Sequence, residues 1–254
     1  MNYTLKKSLG QHFLKDEAIC KNIVAEITKH PFNNLLEVGP GGGALTKYLL
    51  ELPSINFKAV ELDIEKIEFL KNNFPAIKDK IIHENFLDID MPFEDDFTLV
   101  GNFPYNISTQ ILFKVLAWRD KVPVALGMFQ KEVAERAASK EGSKVYGVLS
   151  VLLQAFYKVE YLLDVDPSSF TPPPKVMSGV IRLLRRNDVP FMKNERAFFN
   201  LVKTAFNQRR KTLRNAVRGL FSEDELKDEL FNKRAEVLGV DDFAALTFRM
   251  KQFN

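Results

Sequence analysis

The chain has 254 residues, 46% of them apolar and 27% charged, and its 36 basic and 33 acidic side chains leave a net charge of +3. This is the composition of a folded globular protein with a full core, which excludes a disordered chain. The single cysteine, Cys20, excludes an internal disulfide and a cysteine-rich metal site, and His12, His30 and His83 lack metal-ligand spacing, so no metal is expected. No apolar run approaches the roughly 20 residues of a membrane span. Met1–Leu14 is polar and basic without the apolar centre of a signal peptide, so a cytoplasmic protein with no membrane partner is expected.

In chain order, Asp16 reads as the N-cap of a helix through Lys29, with Ile19, Ile23, Val24 and Ile27 on its inner face. Strands are expected at Leu35–Val38, Phe57–Glu61, Ile81–His83 and Phe97–Gly101. Helices are expected at Asp63–Phe74 and at Ser108–Trp118, with Ser108 as N-cap. Val122–Phe129 reads as a buried strand, Lys131–Ala138 as a short helix and Tyr146–Phe156 as another. Tyr157–Val165 and Met177–Leu184 read as a terminal hairpin, joined through the proline-rich Phe170-Thr171-Pro172-Pro173-Pro174-Lys175. Beyond Arg185–Asp188 the pattern is helical throughout. The alternation predicts an α/β domain over 1–187 and a small all-helical domain over 188–254.

Three strand ends carry chemistry. Leu35–Val38 runs into Gly39-Pro40-Gly41-Gly42-Gly43, where missing Cβ atoms let a bulky ligand lie against the backbone. The Gly-x-Gly-x-Gly spacing differs from the G-x-G-x-x-G of dinucleotide binders, and no Gly-Lys-Ser/Thr follows to make a P-loop. Glu61 ends the next strand 22 positions after Gly39, where an open α/β sheet sets a carboxylate against ribose hydroxyls. The third strand end is Asn102-Phe103-Pro104-Tyr105, which offers an amide oxygen, a free carbonyl at Pro104 and an aromatic face. Those groups suit a flat nitrogen base, with acceptors on both hydrogens of its exocyclic amine and the ring stacked beneath it. Separately, Arg196–Arg218 holds seven basic residues and no acid, with apolar residues at helical spacing, and reads as a phosphate-binding face.

A Rossmann-like sheet with this opening loop and a helical tail suits an S-adenosylmethionine-dependent methyltransferase. The chain resembles the KsgA/RsmA family of small-subunit ribosomal RNA adenine dimethyltransferases over essentially its full length. The resemblance is carried, in order, by Ser8–Leu14, Glu37–Thr46, Glu61-Leu62-Asp63, Asn102–Ser108, Ser169–Val176 and Ala205–Asn215. It implies N6,N6-dimethylation of two adjacent adenosines in the 3′-terminal hairpin loop of 16S ribosomal RNA, with S-adenosyl-L-methionine as cofactor and the small ribosomal subunit as partner. By the same resemblance, His12, Leu14, Gly39, Glu61, Asn85 and Asn102 would contact the cofactor. Asn102, Pro104, Tyr105 and Phe170 would hold the target base, with Tyr105 and Phe170 sandwiching it. Arg209, Arg210, Lys211 and Arg214 would hold the RNA backbone. Two positions depart from the family pattern: Asn85 stands where an adenine-binding Asp is usual, with Asp88 close by, and Phe103 replaces the usual Leu.

Three other readings compete. An Erm-type methyltransferase of 23S ribosomal RNA shares the glycine loop and the Asn-x-Pro-Tyr turn, but Phe206–Asn215 and the Phe170–Val176 loop favour the small-subunit enzyme. A non-catalytic small-subunit assembly factor would bind subunits and leave them unmodified. A nicotinamide oxidoreductase is disfavoured by the glycine spacing. Nothing in the sequence suggests an obligate interface, so a monomer is expected.

Overall fold

The computed structural model describes residues 12–251. Contacts divide the chain into two compact units. One holds residues up to Ala134 together with Lys158–Arg185, and the other holds Glu135–Tyr157 together with the chain from Arg186 onward.

The first unit is built on β2 (Asn34–Val38), β3 (Asn56–Glu61), β4 (Ile81–His83), β5 (Phe97–Asn102), β6 (Val124–Gln130), β7 (Tyr157–Val165) and β9 (Ser178–Arg185). Their order across the sheet is β4-β3-β2-β5-β6-β9-β7. The five strands β2 to β6 are parallel, and β9 returns antiparallel to β6. From β2 the chain steps outward through β3 to β4, then crosses back to lay β5 on the other side of β2. That reversal opens a crevice beyond the carboxyl ends of β2, β3 and β5, where open α/β sheets bind ligands. A two-stranded ribbon, β1 (Phe13–Leu14) with β8 (Phe170–Thr171), pairs Phe13 with Thr171 and Leu14 with Phe170.

The flanking helices follow their sequence signals. α1 (Glu17–Thr28) starts at Asp16, whose carboxylate accepts from the amides of Ala18 and Ile19, and it buries Cys20, Ile23 and Ile27. α2 (Thr46–Leu49) follows the glycine loop, and α3 (Ile64–Asn73) is capped by Asp63. α4 (Ser108–Ala117) turns Ile111, Leu112, Val115 and Leu116 inward. Here one expectation is corrected. Ser108 is the first helical residue rather than the cap, because a 3-10 turn over Tyr105–Ile107 leads into it and its hydroxyl donates to the Pro104 carbonyl (3.2 Å). α5 (Lys131–Ala138) runs out of β6.

The second unit is helical: α6 (Val148–Gln154), α7 (Glu195–Asn207), α8 (Leu213–Ala216), α9 (Val240–Leu246) and short 3-10 turns. Its composition differs from a split at residue 187, since Glu135–Tyr157 joins it. The reason lies in α6, whose Leu149, Ser150, Val151, Leu152 and Leu153 are all buried. A helix without a polar face needs partners on every side, and the helical unit supplies them. Phe156 lies 6.2 Å from Phe199, and Tyr146 lies 6.1 Å from Phe206.

Candidate active site

The crevice at the ends of β2, β3 and β5 is a cavity of about 300 Å3, walled by residues of the first unit. His12, Leu14, Gly39, Glu61, Asn85, Asn102, Pro104 and Tyr105 all line it, so residues up to 93 positions apart converge there. Ser8–Gln11 of the opening motif lie outside the described residues.

At the floor, Gly39, Gly41 and Gly43 all take positive φ (68°, 57° and 82°), a region that side-chain-bearing residues rarely adopt. Gly43 is further constrained, because a Cβ there would come within 2.4 Å of the Phe74 ring. The loop is pinned by the Gly39 amide on the Val60 carbonyl (2.9 Å) and by the Gly41 amide on Glu61 Oε2 (3.1 Å). Glu61 Oε1 accepts from the amides of Leu62 and Asp63, both at 2.9 Å. Three backbone donors thus fix this buried carboxylate, and its remaining lone pairs can accept from hydroxyls.

Glu37, on β2 beneath the loop, was not among the expected site residues. It lines the cavity while being only 2% exposed, and its sole hydrogen bond among the described residues is from the Thr46 hydroxyl (2.7 Å). Burial pushes its carboxyl up to about 8, with the nearby Glu61 carboxylate adding to the effect against the Thr46 bond. A lone acid inside the apolar run Leu35–Val38 was the available signal. Lys66 is a second unforeseen wall residue, buried, with its ammonium 5.0 Å from the centre of the Phe13 ring.

The Asn102 turn is held from several sides. Asn102 lines the cavity, and its Nδ2 donates to the His12 carbonyl (3.1 Å), which leaves Oδ1 as the acceptor of its amide. The Pro104 carbonyl, expected to be free, accepts from the Ile107 amide (3.3 Å) and the Ser108 hydroxyl (3.2 Å), because the 3-10 turn closes on it. Tyr105 is half-buried, its hydroxyl is bonded to Ser178 Oγ (2.5 Å), and burial raises its phenol. The His12 ring lies 5.5 Å from the Tyr105 ring, and its Nδ1 bonds the Pro172 carbonyl (2.8 Å). Phe103 is 3% exposed and packs 4.7 Å from Phe129. Its room comes from two glycines paired across β5 and β6, since a Cβ on Gly127 would sit 1.9 Å from the Phe103 ring and one on Gly101 2.7 Å from it.

On the opposite wall, Asn85 Oδ1 accepts from the Leu87 amide (3.1 Å) and Nδ2 donates to Asp88 Oδ2 (2.7 Å). Asn85 faces the cavity and Asp88 braces it from outside. Lys114 of α4 secures the same loop through the carbonyls of Leu87 (2.8 Å) and Ile89 (2.7 Å), and burial lowers its ammonium.

Phe170 lies apart from the other expected base-contact residues. It is 1% exposed, belongs to the core cluster with Leu14, Ile23 and Val180, and does not line the cavity, because pairing with Leu14 turns its ring inward. The basic segment divides likewise. Arg209 is bound to Glu236 (2.9 Å) and to the Lys144 carbonyl, and half-buried Arg214 donates to the Leu226 carbonyl (2.8 Å). Arg210 and Lys211 are exposed and make no side-chain bond among the described residues.

A largely parallel sheet with its glycine loop, Glu61 and the Asn-x-Pro-Tyr turn gathered at one switch point is the architecture of a methyltransferase. Comparison with known proteins agrees and narrows the class. A family model described as ribosomal RNA adenine dimethylase matches residues 2–248, and the chain belongs to that family. It is 51% identical over 250 residues to a ribosomal RNA small subunit methyltransferase A of Flavobacterium johnsoniae, covering 97% of this chain and 95% of that one. The protein of that name from Cytophaga hutchinsonii is 53% identical over 246 residues, covering 95% of each. Among solved structures, a dimethyladenosine transferase from Plasmodium falciparum superposes with a TM-score of 0.80 at 27% identity, over 91% of this chain and 94% of that one. The 23S ribosomal RNA methyltransferase ErmE shares the fold, with a TM-score of 0.75 at 22% identity, over 94% of this chain and all of that one.

Proposed function

We propose that the protein dimethylates N6 of two adjacent adenosines in the 3′-terminal hairpin loop of 16S ribosomal RNA, using S-adenosyl-L-methionine, and acts as a monomer on the cytoplasmic small subunit. The observation that carries this reading is the orientation of Asn102. With its amide nitrogen spent on the His12 carbonyl, its oxygen is committed as an acceptor for an exocyclic amine. The names of the close relatives favour the small subunit over the large one.

The cavity fits the cofactor on its own terms. The glycine loop is bare of side chains, Glu61 is fixed with acceptor capacity to spare, and Asn85 stands at the far wall. In this reading Glu61 takes the ribose hydroxyls, Asn85 the adenine, and Gly39, His12 and Leu14 the remainder. When bound, the cofactor supplies an electrophilic methyl group on a cationic sulfur.

The protein's own part is positioning. An arylamine is a poor nucleophile because its lone pair is delocalised into the ring. Asn102 Oδ1 accepts one N6 hydrogen and turns the lone pair out of conjugation. The Pro104 carbonyl, already shared by Ile107 and Ser108 over long bonds, is the second acceptor and trades one of them for the amine. Tyr105 supplies the stacking face, locked against rotation by Ser178. Tyr105 carries this task without Phe170, which is sealed in the core. No general base is required, since the proton leaves to water after transfer. The adenosine must be unstacked to enter, as for other base-modifying enzymes.

The test is incubation with labelled S-adenosylmethionine and small subunits lacking the modification, with large subunits in parallel, followed by nucleoside analysis. N6,N6-dimethyladenosine confined to small-subunit RNA is expected. Label in large-subunit RNA alone would overturn the substrate assignment. Subunit binding without label would mean a non-catalytic assembly factor.

A further inference from the structure

Asn85 lines the cavity from the loop that follows β4, and that loop is braced on both sides. Phe86 is buried and meets Trp118 edge-on at 5.5 Å, which ties the loop to the end of α4. The amides of Asp88 (2.9 Å) and Ile89 (3.3 Å) both donate to the Asn85 carbonyl, so the chain turns back and sets Asp88 beside Asn85. The Lys114 ammonium, whose charge Asp88 feels, is spent on the carbonyls of Leu87 and Ile89 rather than on the Asp88 carboxylate. Asp88 itself is exposed and does not line the cavity.

An asparagine amide can ordinarily be reversed end for end, because its oxygen and nitrogen are alike in size and only their partners tell them apart. Here both partners choose. The Leu87 N–H can only donate, so the atom that meets it at 3.1 Å is Oδ1. The Asp88 carboxylate accepts, so the atom 2.7 Å from it is Nδ2. Each bond alone selects the same orientation. The amide makes no further bond among the described residues, so one lone pair and one N–H remain unspent. An acceptor beside a donor complements an adenine edge, which sets an exocyclic N–H beside a ring nitrogen. A 6-oxo purine replaces that exocyclic donor with an acceptor, and only a reversed amide would suit it.

We infer that Asp88 is a positioning residue: it pins the Asn85 amide in the orientation that pairs with adenine, and so sets the preference of the cofactor site for a 6-amino over a 6-oxo purine. This rests on the cofactor reading above and adds to it the origin of base discrimination, placed on a carboxylate outside the cavity wall. The residue type matters. A carboxylate at position 88 holds only the nitrogen end of the Asn85 amide, whereas an amide there can donate as readily as accept and tolerates either end.

The experiment is calorimetric titration of the full chain with S-adenosylhomocysteine and with its 6-oxo counterpart, S-inosylhomocysteine, neither of which carries a methyl group to transfer. The wild-type protein is expected to prefer the adenine ligand by about tenfold or more, the worth of one oriented bidentate contact. D88N is expected to cut that preference by at least about threefold, because the cost of reversing the amide then falls on the Leu87 bond alone. D88A, which withdraws the acceptor outright, should narrow the preference as well. N85S keeps an oxygen for the Leu87 amide but removes the side-chain amide. It should abolish most of the preference, and adding D88N to it should change nothing further. Equal losses for both ligands in D88N, with the preference intact, would make Asp88 a brace of the loop and refute its role. A D88N effect that persists in N85S would refute it too. Equal wild-type affinities, or an N85S protein that keeps the wild-type preference, would show that Asn85 does not read the base and would leave the cofactor reading standing. A wild-type protein that binds neither ligand would overturn the cofactor reading itself. Melting temperature, expected to stay near the wild-type value in D88N, separates a reoriented amide from a damaged loop.

Discussion

Replacing Glu37 with Gln tests the electrostatics beneath the glycine loop. The folded protein keeps a proton on Glu37 up to about pH 8, whereas an unfolded chain releases it near the ordinary value of 4.5. Between those values the native state binds one proton more than the unfolded state. Stability from this group is therefore complete below pH 4.5 and is lost as pH rises toward 8. The limiting slope is about 1.4 kcal/mol per pH unit, so from pH 5 to 8 the cofactor-free protein sheds up to about 4 kcal/mol. Gln reproduces the size of the neutral acid, and its carbonyl can still accept from Thr46, but it does not titrate. Urea unfolding at pH 5, 6, 7 and 8 should show wild-type stability falling against a flatter profile for Glu37→Gln, with the variant the more stable at pH 8. Parallel profiles, or a wild-type protein that gains on Glu37→Gln as pH rises, would refute the picture of a neutral buried acid.

Asn102→Ala should abolish methyl transfer while cofactor affinity by calorimetry changes only a few-fold, since the amide serves the target amine; an equally large loss of cofactor binding would count against that role. Gly127→Ala drives a Cβ into the Phe103 ring and should cost about 1–3 kcal/mol in urea unfolding. Adding Phe103→Leu should recover much of that loss. Phe170→Leu keeps a large apolar group in the core and should leave activity within a few-fold of wild type, with a stability loss of about 1 kcal/mol. A collapse in kcat at unchanged melting temperature would restore the ring to a role at the base.

Much of the fold was legible because its signals are local. Asp16 caps α1, Asp63 caps α3, and apolar runs of four to seven residues mark each buried strand. The cavity wall was legible for a related reason: Gly39, Glu61 and Asn102 each end a strand, and a switch point forces such ends together. What escaped was what long-range partners decide. Phe170 looked like a loop aromatic between prolines, and only its pairing with Leu14 turns it into the core. Arg209 looked like its neighbours Arg210 and Lys211 until Glu236, 27 positions later, claimed it. Glu37 was hidden by its strand, since periodicity places it inside without saying whether it keeps its proton. Glu135–Tyr157 crossed to the helical unit because α6 has no polar face, a property of the whole unit's packing.

The short ribbon of β1 and β8 has a consequence for how activity is acquired. The His12 carbonyl that sets the Asn102 amide belongs to a strand end clasped by residues near Pro172, about 160 positions away. Phe170–Pro172 is synthesised well after the glycine loop, Glu61 and the Asn102 turn. A growing chain can therefore assemble its glycine loop, Glu61 and even the Asn102 turn while the amide still lacks its fixed direction. Competence arrives with the last strands of the first unit, so a partly made enzyme holds the parts of the site without its chemistry.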